Sequence, residues 1–146
     1  MKIRQKDPNK LWEEFKKNED ISDLQLEAFR KYSDLITEWN NKISLTAINN
    51  LSEMLSRHFR DSLSLRKFVG LSKINSIMDV GSGAGIPGIP LKIMFPHLRV
   101  ALMEVNKKKQ KFLDIVIREL GLTDVEVCDI DWRTFLRTTE GEIDLF

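Results

Sequence analysis

At 146 residues, 42% of them hydrophobic, and with a formal net charge of +1, the chain can bury a sizeable core. This composition excludes intrinsic disorder and a bulk polyelectrolyte, so any nucleic-acid surface must be a local patch. A single cysteine, Cys128, excludes an internal disulfide and fits a reducing compartment. Residues 1–7 lack the apolar core of a signal peptide and no apolar run approaches a membrane span, so a cytoplasmic protein without membrane attachment is expected.

The first part of the chain, 1–72, reads as helical. A short helix is predicted over 10–17. Ser22 and Gln25 form a capping-box pair. Behind them Leu26, Phe29, Tyr32, Leu35, Ile36, Trp39 and Ile43 recur at three- and four-residue steps, one apolar helix face read as core. Residues 40–47 are polar and predict a loop. A further helix opens at Asn50, with Glu53 three residues on, and runs to about Phe59; another covers 61–69.

The second part, 73–146, changes period. Strands are predicted over 75–80, 99–105 and 125–128, with a fourth starting at 143–146. Helices are predicted between them over 86–95, where Pro87 and Pro90 fall at the start and Pro96 stops the run, and over 107–120, closed by Gly121. Strand–helix alternation implies a parallel sheet with right-handed crossovers. An apolar strand at the chain end leaves a sheet edge that invites self-association.

The segment from Ile77 to Gly88 carries the chemistry. It is a buried strand running into a glycine-rich turn and a helix start, which lets backbone approach a ligand closely. Gly83, Gly85 and Gly88 match the dinucleotide pattern G-x-G-x-x-G, but the first glycine sits three residues past the strand, and Pro87 removes a donor that a pyrophosphate would use. The alternative parse is Asp79-x-Gly81-Ser82-Gly83-x-Gly85, an acid at the strand end followed by alternating glycines. That is the pattern of S-adenosylmethionine-dependent methyltransferases. Their cofactor has no phosphates, and an acid can face its cationic end. Glu104, 19 residues after Gly85, ends the next strand, where a carboxylate can accept both ribose hydroxyls.

With these residues in view, the chain resembles the RsmG/GidB family of bacterial 16S rRNA guanine-N7 methyltransferases. The resemblance spans about 26–120. It rests on Tyr32, Trp39-Asn40 and Leu45-Thr46-Ala47, on His58-Phe59-Arg60-Asp61-Ser62-Leu63, on the glycine loop through Leu91, and on Glu104, Lys107-Lys108 and Phe112-Leu113. It implies an α/β fold: an incomplete Rossmann-like class I methyltransferase sheet behind an N-terminal helical segment. S-adenosylmethionine is the implied methyl donor, and 16S rRNA or the small ribosomal subunit the implied partner.

In this reading Asp79, Gly81, Ser82, Gly83, Gly85 and Glu104 hold the cofactor. Where the family carries an Arg-x-Glu segment, this chain has Cys128 to Arg133, which leaves Asp129 and Asp131 as acids for the adenine edge. His58, Asp61 and Ser62 shape the substrate side, and Lys107, Lys108 and Lys111 meet RNA phosphates, with Arg57 and Arg60 extending the patch. For His58, Asp61 and Ser62 a helix-capping cluster is the competing reading. No metal site and no catalytic dyad are expected, because guanine N7 carries a lone pair and no proton, and orientation supplies most of the acceleration. The family continues past the fourth strand with a Ser-Arg-Ala segment that helps form the methionine-end pocket. This chain ends before it, and a non-catalytic shortened relative that binds RNA or a protein is the alternative. A dinucleotide oxidoreductase is the weaker third reading.

Overall fold

The computed structural model describes residues 5–138, so the expected strand at 143–146 lies outside the described residues. Helix α1 (Pro8–Glu19) starts two residues earlier than the apolar pattern indicates. Pro8 is preset for a first helical position, and the Asp7 side chain accepts the Asn9 N–H at 3.1 Å. Helix α2 (Asp23–Asn40) opens on the expected capping box, with both reciprocal bonds between Ser22 and Gln25 formed.

The next two expected helices are one continuous helical run. Asn50 caps it by accepting the Glu53 N–H. Helix α3 (Leu51–Glu53) leads into a π-wound stretch, Met54–Arg60, then α4 (Asp61–Ser64) and a 3₁₀ turn, Leu65–Lys67. No glycine or proline separates Phe59 from Asp61, so nothing breaks the run. The i→i+5 winding is rare and recurs at functional sites. The stretch buries Met54, Leu55 and Phe59.

The sheet has strand order β1-β2-β3, all parallel: β1 (Ser76–Val80), β2 (Arg99–Met103) and β3 (Val125–Cys128). Ser76 pairs with Arg99 and Val80 with Met103; Val100 pairs with Val125 and Met103 with Cys128. All three strands therefore end at one edge. Helix α5 (Gly88–Met94) follows β1, and α6 (Lys107–Glu119) follows β2.

Two boundaries differ from expectation for local reasons. Helix α5 begins at Gly88 rather than at 86 because Pro87, joined to Ile86 by a cis bond, is its cap residue. Strand β2 stops at Met103, not 105, because the Glu104 carboxylate accepts the Asn106 N–H and turns the chain into the Asn106 cap of α6. Helix α7 (Trp132–Thr138) was not legible in the sequence; Asp131 caps it.

One apolar core joins the helical part to the sheet, from Trp12, Phe15, Phe29 and Phe59 through Ile89 and Leu102 to Phe112, Leu113 and Val116. Phe59 is its hub, within 5.1–6.5 Å of the ring centroids of Trp12, Phe15, Phe29 and Tyr32. Lys92 is buried in α5, and its ammonium donates to the Pro96 and Leu98 carbonyls at 2.7 and 2.6 Å. Those two bonds keep the desolvated charge satisfied where the chain turns into β2. Among the described residues no helix is long and apolar enough to cross a membrane.

Candidate functional site

The glycine loop leaves β1 at the edge where the strands end. Gly81 and Ser82 both donate backbone N–H to the Met103 carbonyl, at 2.9 and 3.0 Å, which clamps the loop to β2. Gly81, Gly83 and Gly85 have φ of +72°, +55° and +89°, a region that side-chain-bearing residues rarely enter. The glycines then divide into two kinds. A Cβ on Gly81 would meet nothing within 4 Å, and one on Gly83 only the Gly81 carbonyl at 4.0 Å, so both lie on an open side of the loop. A Cβ on Gly85 would stand 2.6 Å from Ile89 Cγ1, and one on Gly88 2.6 Å from Leu102 Cδ2 and 3.0 Å from Asp79 Oδ2. Those two let the loop and helix pack onto the sheet.

Asp79 and Glu104 are both buried, and both are tied to the loop. Asp79 Oδ2 accepts the Gly88 N–H at 3.0 Å, and its backbone carbonyl accepts the Ser82 hydroxyl at 3.0 Å. Burial pushes its carboxyl up to about 6, against the pull of the Gly88 and Ser82 bonds, with the nearby Glu104 charge adding to the rise. The bond from Gly88 closes β1 onto the start of α5. Glu104 Oε1 accepts the Gly83 N–H at 3.0 Å and Oε2 accepts the Asn106 N–H at 3.0 Å. An ionised carboxylate has about four acceptor positions, so two remain for a ligand's hydroxyls.

At the end of β3, Asp129 is engaged from both sides. Lys107 Nζ pairs with Oδ2, and Gln110 Nε2 donates to Oδ1 at 2.8 Å and to the Glu104 carbonyl at 2.6 Å. These donors hold the Asp129 carboxyl below its ordinary range. Asp131 instead caps α7, accepting from the Arg133 and Thr134 N–H groups at 3.0 Å and from the Thr134 hydroxyl at 2.8 Å. Of the three expected phosphate-facing lysines, Lys107 is therefore paired, whereas Lys108 and Lys111 are exposed and have no ion pair among the described residues.

The polar cluster of the helical part is not held by helix capping. His58 Nε2 lies 2.7 Å from the Thr46 hydroxyl, and the Ser62 hydroxyl donates to the His58 carbonyl at 2.6 Å. Neither Asp61 nor Ser62 caps a helix by its side chain. Asp61 reaches His58 only through its field: burial lowers the imidazole's pKa, and the Asp61 charge partly restores it. Asn40 organises the loop that carries Thr46. Its Oδ1 accepts from Leu45 and Thr46 N–H at 2.9 and 3.1 Å, and its Nδ2 donates to the Thr46 carbonyl at 3.0 Å. Arg57 is exposed, but Arg60 is occupied: its Nε lies 2.9 Å from Glu19 Oε1, and Arg66 takes the other oxygen at 2.7 Å.

Sequence reasoning missed three residues of this architecture. Gln110 sits inside a run of lysines, Asn40 opens a polar segment, and Tyr32 lies on the apolar face of α2. Tyr32 is fully buried, and its hydroxyl donates to the Ala84 carbonyl, in the centre of the glycine loop, at 2.5 Å. The capping power of asparagine was a usable signal for Asn40; nothing local marks the other two. Among the described residues no cluster of His, Cys, Asp or Glu could hold a metal ion. A groove of about 450 Å³ lies away from the loop, over strand residues such as Ile77, Met78, Val100 and Val125, with Phe135 at its side.

The open glycines, the buried paired carboxylate of Glu104 and the common strand edge suit a nucleoside-type ligand approached by backbone. Comparison with known proteins agrees with that geometry. Residues 25–145 match the family model GidB, described as rRNA small subunit methyltransferase G. Ribosomal RNA small subunit methyltransferase G of Listeria monocytogenes is 46% identical over 106 residues, 73% of this chain and 44% of the relative. The protein of the same name from Thermoanaerobacter pseudethanolicus is 47% identical over 104 residues, 71% of this chain and 43% of the relative. The one from Exiguobacterium sibiricum is 43% identical over 106 residues, again 73% and 44%. The chain thus spans under half the length of the relatives it matches. A strand-edge glycine loop of this form, matched together with the helical part that packs on it, makes the chain a member of the GidB family, the rRNA small subunit methyltransferases G.

Proposed function

We propose that this chain supplies the cofactor-binding part of an S-adenosylmethionine-dependent methyltransferase that modifies N7 of a guanine in 16S rRNA. Residues 73–146 serve as the cofactor domain in this reading and residues 1–72 as a helical cap beside it. The observation that carries the reading is the hydrogen bond between Glu104 and the Gly83 N–H, which sets a buried carboxylate against the open side of the loop. The names of the relatives support an RNA substrate of the small subunit.

When bound, S-adenosylmethionine supplies an electrophilic methyl group on a sulfonium. The chain's own residues do the rest by holding and orienting. Gly81 and Gly83 offer a backbone surface free of side chains, Ser82 and Asp79 keep its shape, and Gly85 lets it pack. Glu104 accepts hydroxyl donors at the end of β2. Asp129, once released from Lys107, is an acceptor for an exocyclic amine, and Asp131 lies two residues on as the cap of α7. Guanine N7 needs no general base, so no residue of this chain has to move a proton. His58, Asp61 and Ser62 shape the substrate side, and exposed Lys108 and Lys111 contact phosphate, with Lys107 joining them when it leaves Asp129.

Calorimetric titration of the chain with S-adenosylmethionine and, separately, with a nicotinamide dinucleotide tests the proposal. Binding of the former and not the latter supports it. Binding of the dinucleotide alone overturns it. Binding of S-adenosylmethionine without methyl transfer to 16S rRNA restricts this chain to a cofactor- and RNA-binding module.

A further inference from the structure

We propose that Tyr32, on α2 and outside the glycine loop, is a positioning residue for the cofactor, holding the loop in its binding shape from behind. The inference rests on the cofactor reading above. Each turn of the loop is tied to a different neighbour: Gly81 and Ser82 to the Met103 carbonyl, Gly83 to Glu104, and Gly88 to Asp79. Ala84 lies between the positive-φ glycines Gly83 and Gly85, and its carbonyl accepts from the Tyr32 hydroxyl. The Gly85 N–H of the same peptide unit donates to the Ser82 carbonyl at 2.7 Å, so that peptide plane is held from inside the loop by Ser82 and from outside it by Tyr32.

The phenol is suited to that task. It is fully buried, and its ring stacks on Phe59 at 5.4 Å and 18°. Phe59 is itself wedged among Trp12, Phe15 and Phe29, so the donor is held by the most crowded aromatic group in the molecule. Burial, with the Asp79 charge adding to it, keeps the hydroxyl protonated and therefore a donor at every working pH. The same oxygen stands 3.2 Å from where a Gly85 Cβ would be, so Tyr32 also limits the size of that residue. The Gly83 N–H that Glu104 accepts lies two peptide units earlier in the same loop. Tyr32 thus acts on the cofactor through the loop, by setting where Glu104 sits, and touches no reacting atom.

Tyr32→Phe keeps the ring and its stack and removes only the donor. We expect it to unfold cooperatively like the parent and to bind S-adenosylmethionine roughly tenfold more weakly, the worth of one buried hydrogen bond. Combined with Glu104→Gln, the loss should be smaller than the product of the two single factors, because both bonds fix peptide units of one short loop. A purely structural tyrosine gives factors that multiply. Tyr32 is also the sole tyrosine of the chain. Fluorotyrosine incorporated into the otherwise unaltered protein therefore reports this site alone, and its fluorine resonance should shift on saturation with S-adenosylmethionine. An unmoved resonance, affinity of Tyr32→Phe within twofold of the parent, or full multiplicativity overturns the inference while leaving the cofactor reading intact. A parent chain that does not bind S-adenosylmethionine overturns both.

Discussion

Glu104 accepts the Gly83 N–H at 3.0 Å, so the acid that ends β2 is part of the glycine loop's own framework. Its second oxygen holds the Asn106 N–H at the entrance to α6. Glu104→Gln keeps the size but sets an amide NH₂ against one of those two donors. We expect a loss of about 1–3 kcal/mol of stability, the cost of a buried group left unsatisfied. Glu104→Ala should in addition abolish high-affinity cofactor binding. Thermal unfolding and calorimetry on the two variants check this.

The two kinds of loop glycine predict different penalties. Gly85→Ala meets both an unfavourable φ of +89° and a clash at 2.6 Å, and should cost roughly 2–4 kcal/mol. Gly81→Ala meets only the backbone cost, about 1 kcal/mol, because no atom lies within 4 Å of the new methyl. Denaturant unfolding distinguishes them. For S-adenosylmethionine binding the order should shrink or reverse, since the Gly81 methyl would occupy the open side.

The burial of Asp79 sets a pH dependence. Its carboxyl lies at about 6 in the folded chain against an ordinary 3.8, so the folded state holds the proton more tightly than the unfolded one. Stability from this group is therefore present at low pH and lost as pH rises from about 4 through about 6. The shift is worth on the order of 3 kcal/mol. Asp79→Asn, which cannot ionise, should gain on the parent as pH rises from 4.5 to 7.5. Unfolding midpoints that keep a constant gap across that range contradict this.

His58 acts with the opposite sign. Its folded pKa is lowered by burial, so its contribution is present above the ordinary imidazole pKa of 6.5 and is lost as pH falls through the lowered value. Thr46→Val removes the hydroxyl that faces Nε2 and should destabilise the chain by about 1 kcal/mol near neutrality. The imidazole titration, followed by NMR, should move in that variant and stay in place in Lys111→Ala.

The exposed lysines of α6 should differ from their paired neighbour. Lys108→Ala and Lys111→Ala are each expected to reduce the salt slope of RNA binding by about 0.7, the value of one single-strand phosphate contact. Lys107→Ala should change it less, because Asp129 already neutralises that charge. Affinity for a 16S rRNA fragment measured across a salt series reads this out.

What could be read in advance was what is local in the chain. The Ser22–Gln25 box, the Asn50 cap, the period change near residue 73 and the alternating glycines are each carried by residues only a few positions apart, and each took the expected form. Glu104 was identifiable from its distance to the loop, but its bond to Gly83 was not. Tyr32 reaches Ala84 across 52 positions, and Arg66 reaches Glu19 across 47; no pattern within a helix announces such partners. Helix α7 was missed because only seven residues carry it and its start signal, Asp131, had been assigned to ligand binding.

The Glu19 carboxylate, which takes Arg60 on one oxygen and Arg66 on the other, has an electrostatic consequence beyond anchoring α1. One anion quiets two cations that the bare sequence offers to a polyanion. Two arginines of the helical part are thereby compensated, whereas Lys108 and Lys111 on α6 have no ion pair among the described residues. Glu19 works as a contrast setting: without it those two arginines would stand uncompensated as well.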